Sequence, residues 1–263
     1  MDLGLKNKVA LVAAASRGLG KALAEELAVE GASLVICARD SRTLDETAAA
    51  IAKSSNVPVL AVPADVTVTA DIKRVVDTGI ERFGRIDILV TNAGGPPAGR
   101  FDQVTHEQWE AAIRLTLFSA IELTRQVLPG MKERHWGRIL NITSMAAKQP
   151  VENLLLSNSL RAGLTGFART LANEVAAEGI TVNNIMPGYT RTERLDELAQ
   201  MMAEKQGISA DEFRGKWEKE IPMGRLAEPR EFAAVATFLV SERASYITGT
   251  SVQVDGGWIK SLL

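Results

Sequence analysis

Short apolar, β-branched runs alternate along the chain with longer stretches of helical periodicity. KVALVAA (8–14) precedes a helix over 18–30, ASLVICA (32–38) a helix over 41–53, and VPVLAVPA (57–64) a helix over 69–83. RIDILVTNAG (85–94) leads through a Gly/Pro loop to a helix over 105–133, and GRILNITS (137–144) to one over 153–178. ITVNNIMPG (180–188), a helix over 228–241 and a last strand, TSVQVDGG (250–257), complete the pattern. The strand runs are apolar almost without interruption, as expected where helices cover both faces of a sheet. Regular β-α-β alternation predicts an α/β fold built on a doubly wound parallel sheet with right-handed crossovers. No internal repeat or linker-like composition shift divides the chain, so residues 1–263 are expected to form one domain.

The interval 189–222 departs from the pattern. It is charged, and is expected to be irregular and only partly helical. It follows the C-terminal end of a strand, where open α/β sheets bind ligands. It is therefore expected to act as a lid over a substrate, with a rigid surface insertion as the alternative.

Charge and composition narrow the partners. A formal net charge of −2 gives no electrostatic reason to expect nucleic acid or an anionic membrane. No run approaches the ~18 uninterrupted apolar residues of a spanning helix, and the N-terminus lacks a signal-peptide layout. A soluble, cytoplasmic protein is expected. The single cysteine, Cys37, excludes an internal disulfide. Within LVICA it reads as a packed, inert thiol.

Candidate chemistry gathers at the strand ends. Ser16-Arg17-Gly18-Leu19-Gly20 lies between the first strand and the first helix. Gly18 and Gly20 permit a tight turn, and the helix N-terminus offers N–H groups and a positive dipole end to a phosphate. The alternative is a glycine-rich turn that merely packs helix on strand. Arg39 follows the second strand, with Asp40 and Arg42 beside it and Arg17 expected nearby. An acidic residue there suits a ribose 2′-hydroxyl and a cation a 2′-phosphate, so NADP is favoured over NAD. Asp65 ends the third strand, and Asn92 and Gly94 the fourth, where small neighbours let a ligand approach the backbone.

The order of ASRGLG, ADVT, TNAGG, NITS, MPGYTRTE and VQVDGG resembles the short-chain dehydrogenase/reductase family over nearly the whole chain. It is most similar to the 3-oxoacyl-acyl-carrier-protein reductase branch. The resemblance implies a seven-stranded Rossmann fold and a homotetramer or homodimer. It implies hydride transfer between NADP(H), or less favourably NAD(H), and a small-molecule carbonyl or alcohol, acyl thioesters included. It implies cofactor contacts from Ser16, Arg17, Gly18, Leu19, Gly20, Arg39, Asp65, Val66, Asn92, Ala93, Gly94, Pro187, Gly188 and Thr190.

The departures from the family pattern concern the chemistry itself. The glycine motif T-G-x-x-x-G-[IL]-G falls on residues 13–20 and puts Ala14 at the first glycine. A methyl group there crowds a pyrophosphate and disfavours a positive φ. The family's catalytic serine falls on Ser144 and its helix asparagine on Thr116. Its Y-x-x-x-K pair falls on Ser157 and Arg161, aligned without a gap by RAGLTGFARTLANE. The two are four residues apart and so share one helix face.

In the family the tyrosine gives a proton to the carbonyl oxygen, and the lysine holds ribose and lowers the phenol's pKa. A serine hydroxyl is a far weaker acid and shorter by a ring. It can relay a proton or bond an oxyanion. Arginine, with a pKa expected above ~12, stays charged and can bond ribose and stabilise an alkoxide. Tyr189 and Lys148 are candidate substitute proton donors; the alternatives are packing against the lid and a solvated loop cation. Tyr246 is expected to pack. His106 and His135, at a helix start and a helix end, belong to no cluster with metal-ligand spacing, so no metal is expected. The tryptophans read as packing residues.

Three readings stay open. One is an NADP-dependent reductase with an altered catalytic set of Ser144, Ser157 and Arg161. The second is an inactive dinucleotide-binding regulatory or partner subunit. The third is another reaction on the same scaffold, such as a lyase or dehalogenase step.

Overall fold

The computed structural model describes residues 1–262. Seven parallel strands form one sheet in the order β3-β2-β1-β4-β5-β6-β7. They are β1 (Val9–Ala13), β2 (Ser33–Ala38), β3 (Val59–Pro63), β4 (Ile88–Thr91), β5 (Gly137–Ile142), β6 (Ile180–Pro187) and β7 (Ser251–Val254). The doubly wound sheet expected from the alternation is therefore present.

The helices are α1 (Gly18–Val29), α2 (Ser41–Ser55), α3 (Thr69–Phe83), α4 (His106–Ile113), α5 (Ser119–Glu133), α6 (Leu155–Val175), α7 (Glu193–Gln206), α8 (Ala210–Glu220) and α9 (Pro229–Leu239). Side chains of β1 alternate between two cores. Ala10 and Val12 join Leu23, Leu44 and Phe232 of α1, α2 and α9. Val9, Leu11 and Ala13 join Ile72, Leu123 and Ala168 of α3, α5 and α6. Both faces are buried, which is why the strand reads as an unbroken apolar run. The strand order reverses between β1 and β4, which opens a crevice at their carboxyl ends.

Three sequence expectations about the fold need correction. The helix expected over 105–133 is not uniform: α4 and α5 are joined through a π turn, Arg114–Phe118, that contains Thr116. Tyr246, expected to pack, is fully exposed, because the turn after Glu242–Ala244 carries its ring outward.

The charged interval 189–222 is also more regular than expected. Thr192 caps α7 by accepting from Leu195 N, and Ser209 caps α8 in a reciprocal box with Glu212. Ala199, Ala203, Phe213 and Trp217 bury a third cluster against Ile221, Leu226, Trp258 and Ile259. These apolar residues stand four apart within each helix, a stripe diluted by the surrounding charge.

Candidate active site

Every sequence-derived site residue lies at or just beyond the carboxyl edge of the sheet, or on α6 beside it. The first turn leaves β1 through Ala14, whose φ is 50°, and enters α1 at Gly18, whose φ is 58°. The left-handed conformation costs an alanine roughly 1–2 kcal/mol. The backbone thus keeps the shape that glycine would adopt freely. Gly20 is required by contact: a Cβ there would stand 2.3 Å from the Ala14 carbonyl oxygen and 2.9 Å from Asn92 Nδ2. Asn92 Nδ2 donates to that same carbonyl at 3.3 Å, joining the β1 and β4 ends.

Arg17 occupies the N-cap of α1 and makes no capping bond, so its side chain leaves the first-turn N–H groups free. Thr47 Oγ1 donates to the Ser16 carbonyl at 2.9 Å and ties the turn to α2. Leu19 packs on the first core. Free N–H groups, a helix N-terminus and a backbone with no room for a Cβ fit a dinucleotide's pyrophosphate.

Beyond β2, Arg39 is exposed, whereas Asp40 accepts from Thr43 N at 2.7 Å and caps α2. Hydrogen bonds from Thr43 hold the Asp40 carboxyl below its usual range, and the charges of Arg42 and Arg17 assist. A carboxylate engaged as a cap is not poised for a ribose, which favours the cationic reading of this corner. Asp65 Oδ1 accepts from Thr67 N and Thr67 Oγ1 at 2.9 and 2.8 Å, which shapes the turn holding Val66. Ala93 and Gly94 follow Asn92 over the crevice, and a Cβ on Gly94 would meet nothing within 4 Å.

Ser144 follows β5, half-buried, and its Oγ accepts from Ala146 N at 3.1 Å. On α6, Arg161 reaches back to the same strand end and donates from Nη1 to the Ile142 carbonyl at 2.6 Å. It is buried, and its Nε has no partner. Burial alone pulls its pKa down to about 10, below the sequence expectation, yet it stays charged at neutral pH. Thr116, in the π turn packed against α6, is buried with its hydroxyl unpartnered. Ser157, one turn before Arg161, is half-buried, and its hydroxyl makes no hydrogen bond among the described residues.

The two candidate substitute donors fare differently. Tyr189 stacks on Trp217 at 4.9 Å and meets Trp258 edge-on at 6.1 Å. Burial, aided by Glu220, raises its pKa. That weakens it as an acid and favours the packing reading. Lys148 follows the Met145–Ala147 turn, half-buried, with no ion pair among the described residues. Burial also pushes the Cys37 thiol up to about 11, so it is no nucleophile at neutral pH.

Pro187 and Gly188 close β6. A Cβ on Gly188 would stand 2.7 Å from Asp255 Cα, so glycine lets this strand end lie against the β7 end. Thr190 is buried and donates from Oγ1 to the Gly188 carbonyl at 3.3 Å.

Sequence reasoning missed two features. The first is the start of α7 lying beside the glycine turn. Thr192 Cγ2 would be 3.7 Å from a Cβ on Gly18, and Arg17 Nη1 pairs with Glu193 Oε2 at 3.3 Å. No local signal marks a contact across 176 positions. The second is a polar ladder across four strands, buried except at half-buried Ser251. Thr91 Oγ1 donates to Asn141 Oδ1 at 2.6 Å, and Asn141 Nδ2 to Asn184 Oδ1 at 3.1 Å. Asn184 Nδ2 donates to Ser251 Oγ at 3.1 Å. Polar residues inside apolar strands were the available signal.

A family model described as enoyl-(acyl carrier protein) reductase matches residues 13–259. The 3-oxoacyl-[acyl-carrier-protein] reductase FabG of Vibrio cholerae serotype O1 is 35% identical over 255 residues, 97% of this chain and 98% of that relative. The chain belongs to the short-chain dehydrogenase/reductase family. Within that family it is an oxidoreductase of the 3-oxoacyl-acyl-carrier-protein reductase-like branch. L-Sorbose reductase from Gluconobacter frateurii, solved with NADPH and L-sorbose, superposes with a TM-score of 0.96 at 35% identity over 100% of both chains. An actinorhodin polyketide ketoreductase solved with NADPH gives 0.93 at 31% identity, over 97% of this chain and 98% of that one. No helix among the described residues of this short-chain dehydrogenase/reductase is long and apolar enough to cross a membrane.

Proposed function

We propose that this chain is an NADP(H)-dependent carbonyl reductase working through an altered catalytic set. The observation that carries the reading is the corner around residues 14–20 and 39–40. The glycine turn keeps its shape, Arg17 and Arg39 are exposed there, and the one acidic candidate, Asp40, is engaged as a helix cap. Substrates are small-molecule carbonyl compounds, with 3-oxoacyl thioesters among the first to test. The relatives' names support that class.

When bound, the dinucleotide supplies the hydride. Ser144 donates a hydrogen bond to the carbonyl oxygen, and its position just past β5 supports this. Arg161 bonds the ribose and, as a fixed cation, lowers the energy of negative charge developing on that oxygen. Ser157 passes a proton from solvent, since its own hydroxyl is too weak an acid. Oxyanion donors alone contribute about 10²–10³-fold, and an added general acid ~10²–10⁴-fold. The reaction is therefore slow, not absent. Residues 189–222 act as a lid on a single domain spanning 1–263. The assembly is a cytoplasmic homotetramer or homodimer.

Titration calorimetry with both nucleotides, followed by a carbonyl panel, tests the reading. NADPH is expected to bind at least about tenfold more tightly than NADH, the worth of one charge-assisted hydrogen bond. At least one carbonyl compound should consume NADPH. Tight NADPH binding with no turnover across the panel would leave the inactive-subunit reading standing instead.

A further inference from the structure

We propose that Glu193 is a specificity-determining residue: its carboxylate competes with the 2′-phosphate of NADP(H) for the Arg17 guanidinium. The inference rests on the cofactor assignment above. Arg17 stands between two places. On one side the Thr47–Ser16 hydrogen bond of 2.9 Å ties its turn to α2, which starts at the β2–α2 corner where a 2′-phosphate is read, and the Arg17 charge helps hold the Asp40 carboxyl down there. On the other its Nη1 lies 3.3 Å from Glu193 Oε2, the first residue of α7.

Arg17 offers one guanidinium to two anions, and Thr192, the residue before Glu193, lies close to the turn, 3.7 Å from where a Cβ on Gly18 would stand. A carboxylate and a phosphate within reach of one guanidinium repel each other. NADP(H) therefore binds against the pair more than NAD(H), which has a hydroxyl in place of the 2′-phosphate. Glu193 accordingly narrows the preference for NADP(H). Both side chains are mostly exposed, so substitutions at either are compatible with folding.

The test is direct binding of NADPH and NADH to the wild type, E193Q, R17Q and the double variant, followed by tryptophan fluorescence or calorimetry. An exposed pair of this kind corresponds to about two- to fivefold. E193Q should tighten NADPH by that factor and NADH by clearly less, since NADH lacks the 2′-phosphate and meets the carboxylate only through its pyrophosphate. In the R17Q background, E193Q should bring no selective gain. Equal tightening of both nucleotides, or no change for NADPH, overturns the role of Glu193. If R17Q leaves NADPH affinity unchanged, or the wild type binds neither nucleotide, the cofactor assignment itself fails first. The four proteins thus separate the two failures.

Discussion

Among the described residues Arg161 is a buried cation with no carboxylate beside it: one backbone carbonyl is its hydrogen-bond partner, and burial is the sole influence on its pKa. Leaving a charge buried and unpaired costs a protein several kcal/mol, so the residue is a poor choice for packing alone. Its neighbour Ser157 lacks the acidity that a phenol beside a cation would have. Restoring both, in the double variant S157Y/R161K, should raise kcat for carbonyl reduction by roughly 10²–10⁴-fold. Initial-rate measurements of NADPH consumption at neutral pH check this, and an unchanged kcat would mean that proton delivery is already supplied from elsewhere. Ala14 shows the complementary case at this scale. A side chain departs from the motif, yet the backbone holds φ at 50°, because the packing of Gly20 against its carbonyl fixes the turn.

At the scale of elements, the polar ladder links β4, β5, β6 and β7 in register. Thr91, Asn141, Asn184 and Ser251 are paired residue to residue across β4, β5, β6 and β7. Asn141→Leu removes the middle rung and strands a buried hydroxyl and a buried amide oxygen, at about 1–3 kcal/mol each. The urea midpoint should fall by the corresponding amount with the m-value unchanged. A second element-scale contact is set by charge. Glu231, in the first turn of α9, accepts from Arg225 at 2.7 Å through both oxygens and from Glu228 N at 2.8 Å. These bonds, led by Arg225, pull its pKa from 4.5 to about 2. A carboxylate with a lowered folded pKa stabilises above its unfolded value and loses that effect as pH falls through the folded one. The wild type should therefore be more stable than E231Q at pH 7. The difference should shrink below about pH 4.5 and vanish near pH 2, as followed by thermal melts across that range.

At the scale of the whole molecule, the sheet, most of its helices and the glycine turn between β1 and α1 were legible in the chain. Strand runs such as VALVA are apolar on both faces, and a helix N-terminus after Gly18 carries its meaning locally. The positions of Ser144, Ser157 and Arg161 were legible too, because they are fixed by residues adjacent in sequence. Thr116 was legible as a position, but its π turn was not: one extra residue wound into a helix leaves almost no trace in an apolar period. The 189–222 segment looked irregular because its two apolar stripes are short and meet residues from elsewhere, such as Trp258.

The sequence by itself determined the order of elements, the doubly wound topology and the residue types at each strand end, since all of these follow from local periodicity and turn chemistry. Only the tertiary structure decided that Arg161 is buried without a counter-charge among the described residues, and that Glu193 meets Arg17. Burial and electrostatic pairing are set by groups distant along the chain, and no pattern of neighbours encodes them.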